Sequence, residues 1–114
     1  MLFINSKEDA FKKIAKNSTD PKERMQAVAG ISDQNFLYEI ATQDNDFGVG
    51  KAAIQRLTNQ SYLTAVGKDN AANDWRCRQA AIELMTDKAA LQYIVDNEKE
   101  LTINYAAKER LKKI

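Results

Sequence analysis

The chain has 114 residues, of which 44% are hydrophobic, 29% charged and 8% aromatic, with four Gly, one Pro, one Cys and no His. That size suits a single domain with a core of its own, and the composition is neither collagenous nor disordered. The lack of His excludes His-based triads and His-ligated metals, one Cys closes no intrachain disulfide and makes no zinc site, and 17 basic against 16 acidic residues (net +1) exert no global pull on phosphate or anionic lipid.

In chain order, the longest apolar run comes first, at Met1 to Ile4, too short for a signal-peptide core or a membrane span, so the expected setting is cytoplasmic with no membrane partner. The stretch NSKEDAFKKIA (5–15) is then followed at offsets of 26, 26 and 28 by ISDQNFLYEIA (31–41), LTNQSYLTAVG (57–67) and MTDKAALQYIV (85–95). Between them, DPKERMQAV (20–28), DFGVGKAAI (46–54), DWRCRQAAI (74–82) and ELTINYAAK (100–108) keep the same frame. The two extra residues of the longer offset fall within Asn70 to Asn73, a polar loop by composition. The units run approximately 5–19, 20–45, 46–73, 74–99 and 100–114, in one domain that opens on a second-type segment and closes on a first-type one.

Both segment types have helical spacing. In the second type, Phe11, Leu37, Leu63 and Leu91 share one register and Ile14, Ile40, Val66 and Ile94 lie three residues on, which puts both rows on one face. Ser6, Ser32, Thr58 and Thr86 precede these segments at one register and are expected as N-caps, with Ile31 and Phe36, and Leu57 and Tyr62, at staple spacing. In the first type, Asp20, Asp46 and Asp74 take the cap position, Pro21 the first helical position, and Asp20 with Glu23 resembles a capping box. Ala27, Ala53, Ala81 and Ala107 let neighbouring helices approach closely, and Val28, Ile54 and Ile82 supply bulk. A pair of helices this short buries too little alone, so each pair is expected to pack on the next. The expected fold is all-α: about eight short helices in a right-handed α-α superhelix, or solenoid.

The stretches DWRCRQAAIELMTD and LTNQSYLTAV resemble the short bacterial HEAT-like or armadillo-like helical repeats, and the resemblance runs from about Asn5 to Leu111. Arg24 and Arg78 match the arginine of those repeats, while Gly50 and Asn104 stand at the same register, so an Asp-Arg ladder is not expected to be continuous. The leucine-rich repeat variant, with alternating α and 3₁₀ helices, is a related alternative, although its cysteine-rich segment has no counterpart here. What the resemblance implies is a binding scaffold with no shared chemistry.

Other motifs are absorbed by the same frame. GVGKAA (48–53) resembles a dinucleotide fingerprint, but no strand is expected before it and its alanines belong to the repeat. DNDFG (44–48) opens like a calcium loop, yet Gly48 and Gln55 occupy ligand positions and Asp46 reads as a cap. Cys77 shares a register with Val49 and Ile103, the place of a small core side chain. The carboxylate pairs Glu8 with Asp9 and Glu98 with Glu100 read as solvated helix ends. Trp75 shares a register with Phe47 and Leu101 and is expected to pack between units, and Leu84, where neighbouring units carry Arg56 and Arg110, marks a local contact patch. No catalytic, cofactor-binding or metal-binding residue is expected, and no cofactor.

Function is sought on the second-type helices, expected to line the concave side. Just after the Leu row stand Lys12, Tyr38, Thr64 and Gln92, then Lys13, Glu39, Ala65 and Tyr93. Tyr38 and Tyr93 are aromatic where the frame demands no core residue. The candidate protein-binding residues are Tyr38, Glu39, Thr64, Tyr93, Lys12 and Lys13, and the expected function is that of a non-enzymatic scaffold binding an unknown peptide or protein. The alternative is weak nucleic-acid binding through the basic ends, since residues 1–24 sum to +2 and residues 101–114 to +3 against −4 between them. A nucleic-acid groove asks for a continuous basic stripe, which is lacking. Head-to-tail association of copies remains open.

Overall fold

The computed structural model describes residues 6–72 and 74–114, among which the chain forms eight helices and no strand: α1 (Ser6–Asn17), α2 (Pro21–Val28), α3 (Gln34–Gln43), α4 (Phe47–Gln55), α5 (Gln60–Gly67), α6 (Trp75–Ile82), α7 (Lys88–Asn97) and α8 (Leu101–Lys113). The run Met1 to Ile4, Asn5, Asn73 and the side chain of the expected cap Ser6 lie outside the described residues.

The even helices start as the sequence indicates. Asp20 accepts from the Lys22 N–H, Asp46 from Val49 and Asp74 from Arg76, and Glu100 does the same for α8 from Thr102. The expected capping box is replaced by a relay in which Ser18 Oγ donates to Glu23 and accepts from the Asp20 N–H. In the odd helices the caps are not Ser32, Thr58 and Thr86 but the residues after them: Asp33, Asn59 and Asp87 accept from the amides of Phe36, Tyr62 and Ala90.

The displacement has a physical reason. Glu8 accepts from the N–H groups of Ser32 and Asp33, Gln34 Oε1 from those of Thr58 and Asn59, and Gln60 Oε1 from that of Thr86. These three acceptors hold one register, at the start of successive odd helices. The main chain of each hydroxyl residue is thereby anchored to the preceding odd helix, the Ser32 hydroxyl itself donates to Glu8, and the cap is the next residue, an Asp or Asn that accepts at least as well.

Each odd helix packs on the even helix that follows it, and α2, α4, α6 and α8 pack on one another in series. The odd helices scarcely touch along their main chains. Leu37, Leu63 and Leu91, then Ile40, Val66 and Ile94, then Ala27, Ala53, Ala81 and Ala107 are all buried, with Ile31, Leu57 and Met85 beneath the turns. The first helix departs from its frame. Phe11 is only partly covered and Ile14 is 41% exposed, because no preceding described helix lies over them. Gly30 accommodates the larger ring, since a Cβ there would lie 2.2 Å from Phe11, whereas the Leu of later units is matched at that register by Arg56, Leu84 and Arg110.

Arg24 and Arg78 pair with acids of their own units, not in a ladder from unit to unit. Arg24 forks onto Asp44 (2.9 Å) and Arg78 meets Glu98 (2.7 Å), both largely shielded from solvent. Where Gly50 replaces the arginine, the residue 20 places on is Asn70, not an acid, and it adopts φ 57° in the lengthened loop. Asn104 keeps half of the arginine's role, donating to the carbonyls of Val95 and Glu98. The molecule measures 50 × 30 × 19 Å with a radius of gyration of 14.9 Å, more extended than the roughly 13 Å of a globular domain of about 100 residues.

Candidate protein-binding face

The candidate residues lie on α1, α3, α5 and α7, whose side chains bridge the gaps that the main chains leave. Lys12 donates to the cap Asp33 at 2.8 Å and rests 5.5 Å from the centre of the Phe36 ring. Lys16 reaches Glu39 at 3.3 Å. Tyr38 stacks on Tyr62 of the next odd helix with ring centres 4.4 Å apart and planes 15° from parallel, and the Tyr62 hydroxyl donates to Asn35. Lys68 lies 4.7 Å above the ring of Tyr93. Five of these contacts join α1 to α3, or α3 to α5, and the last joins the end of α5 to α7.

Four of the candidates, Tyr93 with Lys68 over its ring among them, therefore already have partners within the fold. Lys12 and Glu39 belong to ion pairs between helices, and Tyr38 is half-buried by its stack. Lys13 is exposed at the outer edge of α1 beside Ile14, in a shallow hollow with Asn17, Ser18, Thr19 and Glu23. Thr64 and Tyr93 come together in an open groove of about 320 Å³ between α5 and α7, completed by Lys68, Asp87, Ala89 and Ala90. Tyr38 and Glu39 share a separate open hollow with Asp33, Asn35, Phe36, Thr42 and Gln43. Five of the six residues thus occupy separate depressions, Lys12 being taken up in its bridge to Asp33, and the six do not converge on one cavity.

The electrostatics of this face are set by the same bridges. The N–H of Ser32, with that of Asp33, holds the Glu8 carboxyl below the ordinary Glu value, and the Lys12 ammonium does so for Asp33 with help from the Phe36 N–H. Lys12 is correspondingly held above the ordinary Lys value by Asp33. Two cations of the N-terminal basic cluster, Lys12 and Lys16, are thus engaged by carboxylates, and at the other end Lys112 pairs with Glu109 at 2.8 Å while Arg110 donates to the Met85 carbonyl.

The remaining motifs have structural places. Asp44 is the partner of Arg24 and Asp46 caps α4, so the oxygens of DNDFG are taken up within the turn. GVGKAA lies inside α4, with Gly50 packed against Cys77. Burial, then the Asp74 charge, push the Cys77 thiol up to about 11, and it donates to the Phe47 carbonyl. Leu84 rests half-buried against the core. Trp75 overturns its expectation: it is 54% exposed, not packed between units, because the first position of an even helix points away from the core. Trp75, Phe47 and Leu101, all exposed, were masked in the sequence by a periodicity that reads as burial.

No described helix is long and apolar enough to cross a membrane. Comparison with protein-family models, curated proteins and solved structures gives no match.

Proposed function

We propose that the chain is a non-enzymatic, cytoplasmic protein-binding scaffold, built as a right-handed α-α superhelix similar to the HEAT-like and armadillo-like repeats, with partner-binding side chains on α1, α3, α5 and α7. The superhelical reading is supported by the serial packing of the even helices and by acceptors at one register, Glu8, Gln34 and Gln60, that each reach the next unit. On this reading the partner meets the concave side, lined by the odd helices.

The observation that carries the binding reading is Tyr93, 52% exposed beside Thr64 in the groove between α5 and α7. An aromatic ring has few rotatable bonds to immobilise when covered, and Tyr93 already has Lys68 over its ring, which suits an interface anchor. The test is affinity capture from the native cell with the wild type and with Tyr93→Ala and Tyr38→Ala. Loss of a saturable partner in the Tyr93→Ala protein at unchanged helicity supports the reading. Identical partners and affinities in all three proteins contradict it, and salt-sensitive retention on DNA or RNA alone favours the basic ends instead.

A further inference from the structure

We propose, on the reading that this chain binds protein, that the groove between α5 and α7 is an aromatic slot, filled by a Tyr or Phe side chain of the partner in the place of a ring that the repeat lacks there.

The other gaps between odd helices show what fits. Two registers make the first bridge across each gap. Lys12 meets the Phe36 ring between α1 and α3, and Tyr38 stacks on the Tyr62 ring between α3 and α5. Between α5 and α7 the same two registers read Thr64 and Ala90, which are too small to meet across the gap. The second bridge is kept, since Lys68 covers the Tyr93 ring at the registers where Lys16 reaches Glu39. The groove of about 320 Å³ lined by Thr64, Lys68, Asp87, Ala89, Ala90 and Tyr93 therefore opens where a ring stands in both earlier gaps.

The gap stays open because its width is set elsewhere. Gln60 holds the Thr86 N–H as Glu8 and Gln34 hold the amides of their own next units, and the main chains of α5 and α7 scarcely touch. Small side chains at the bridge thus leave space instead of drawing the helices together. Phe36, Tyr62 and Ala90 each give their N–H to the cap of their helix, so the three positions share one backbone setting and Ala90 marks the place of the missing ring.

The lining selects an aromatic guest. Tyr93 offers a ring and Lys68 an ammonium, both of which favour a π face, and Asp87 balances the charge of Lys68, so the rim asks for no net charge. The source follows from the openness of the groove. A free small molecule needs most of its surface buried, whereas a side chain of a bound partner is held by contacts on either side of it.

The test follows the Ala90 and Thr64 methyl resonances by NMR as an end-blocked Gly-Gly-Tyr-Gly-Gly peptide is added, with Leu in place of Tyr as the control. The expected result is a saturable ring-current shift of both methyls with the Tyr peptide, which binds at least tenfold more tightly than the Leu peptide. The shift is lost in Ala90→Tyr and in Thr64→Tyr, which fill the slot from within. Ala90→Tyr is also expected to raise the urea midpoint, and a lowered midpoint overturns the proposal by showing that no room exists. Absence of a saturable shift, equal binding of the Leu peptide, or a shift that persists in a filled variant of unchanged helicity overturns it equally. If Tyr93→Ala loses a captured partner that Ala90→Tyr retains, the slot alone is refuted. If neither variant loses it, the protein-binding reading fails as well.

Discussion

At the scale of single residues, the start of each odd helix turns on one position. Thr86 gives its backbone N–H to Gln60, and Asp87 takes the Ala90 N–H in its carboxylate. Replacing Asp87 by Ala is expected to cost about 1 kcal/mol in urea unfolding, the usual value of a lost cap, whereas Thr86→Ala keeps its N–H and costs a few tenths of that. Equal effects, or the reverse order, would restore the hydroxyl as cap. The sequence showed a recurring polar pair at this point and not which member faces the helix, because that depends on Gln60, an acceptor 26 residues earlier. The exposure of Trp75 was hidden for a related reason: periodicity separates faces of a helix, but the first position of a helix belongs to its end.

At the scale of the elements, helix spacing and number were legible, since the Leu and Ile rows recur with the alanine row opposite them, while a 3₁₀ form for alternate helices stayed open. The ties between elements were not legible, being made by polar side chains whose partners lie in the next unit. Those ties, together with ion pairs inside a unit, predict a pH dependence. Glu8 is held below its ordinary value of 4.5 chiefly by the Ser32 N–H, Asp33 below 3.8 chiefly by Lys12, and Asp74 below 3.8 chiefly by Arg76. Burial acts to raise Glu98, but the Glu100 N–H and Arg78 outweigh it and leave it below 4.5. A carboxyl with a depressed folded-state pKa binds its proton more readily when unfolded. Its stabilisation is complete above the ordinary value and is lost as pH falls through the lowered one. The urea midpoint is therefore expected to be level above about pH 5 and to fall below the ordinary carboxyl range of 3.8 to 4.5, with a shallower fall in Glu8→Gln. An acid limb of the same steepness in wild type and variant contradicts the role given to Glu8.

At the scale of the whole molecule, the candidate face was legible as a set of helix positions and not as a site. The sequence placed Tyr38, Glu39, Thr64, Tyr93, Lys12 and Lys13 on one kind of helix, but it gave no means of seeing that Tyr38 meets Tyr62 or that Lys12 meets Asp33, since those pairs depend on how far apart the odd helices lie. What unites these levels is that each unit completes the next, most plainly where the Gln34 carboxamide holds the amides of Thr58 and Asn59 and reaches back to the Arg56 carbonyl. Amide hydrogen exchange on Gln34→Ala tests this most directly. The Thr58 and Asn59 amides, 24 and 25 residues away, are expected to lose protection while those within α3 keep theirs. Unchanged exchange at Thr58 and Asn59, or a loss confined to α3, would contradict it.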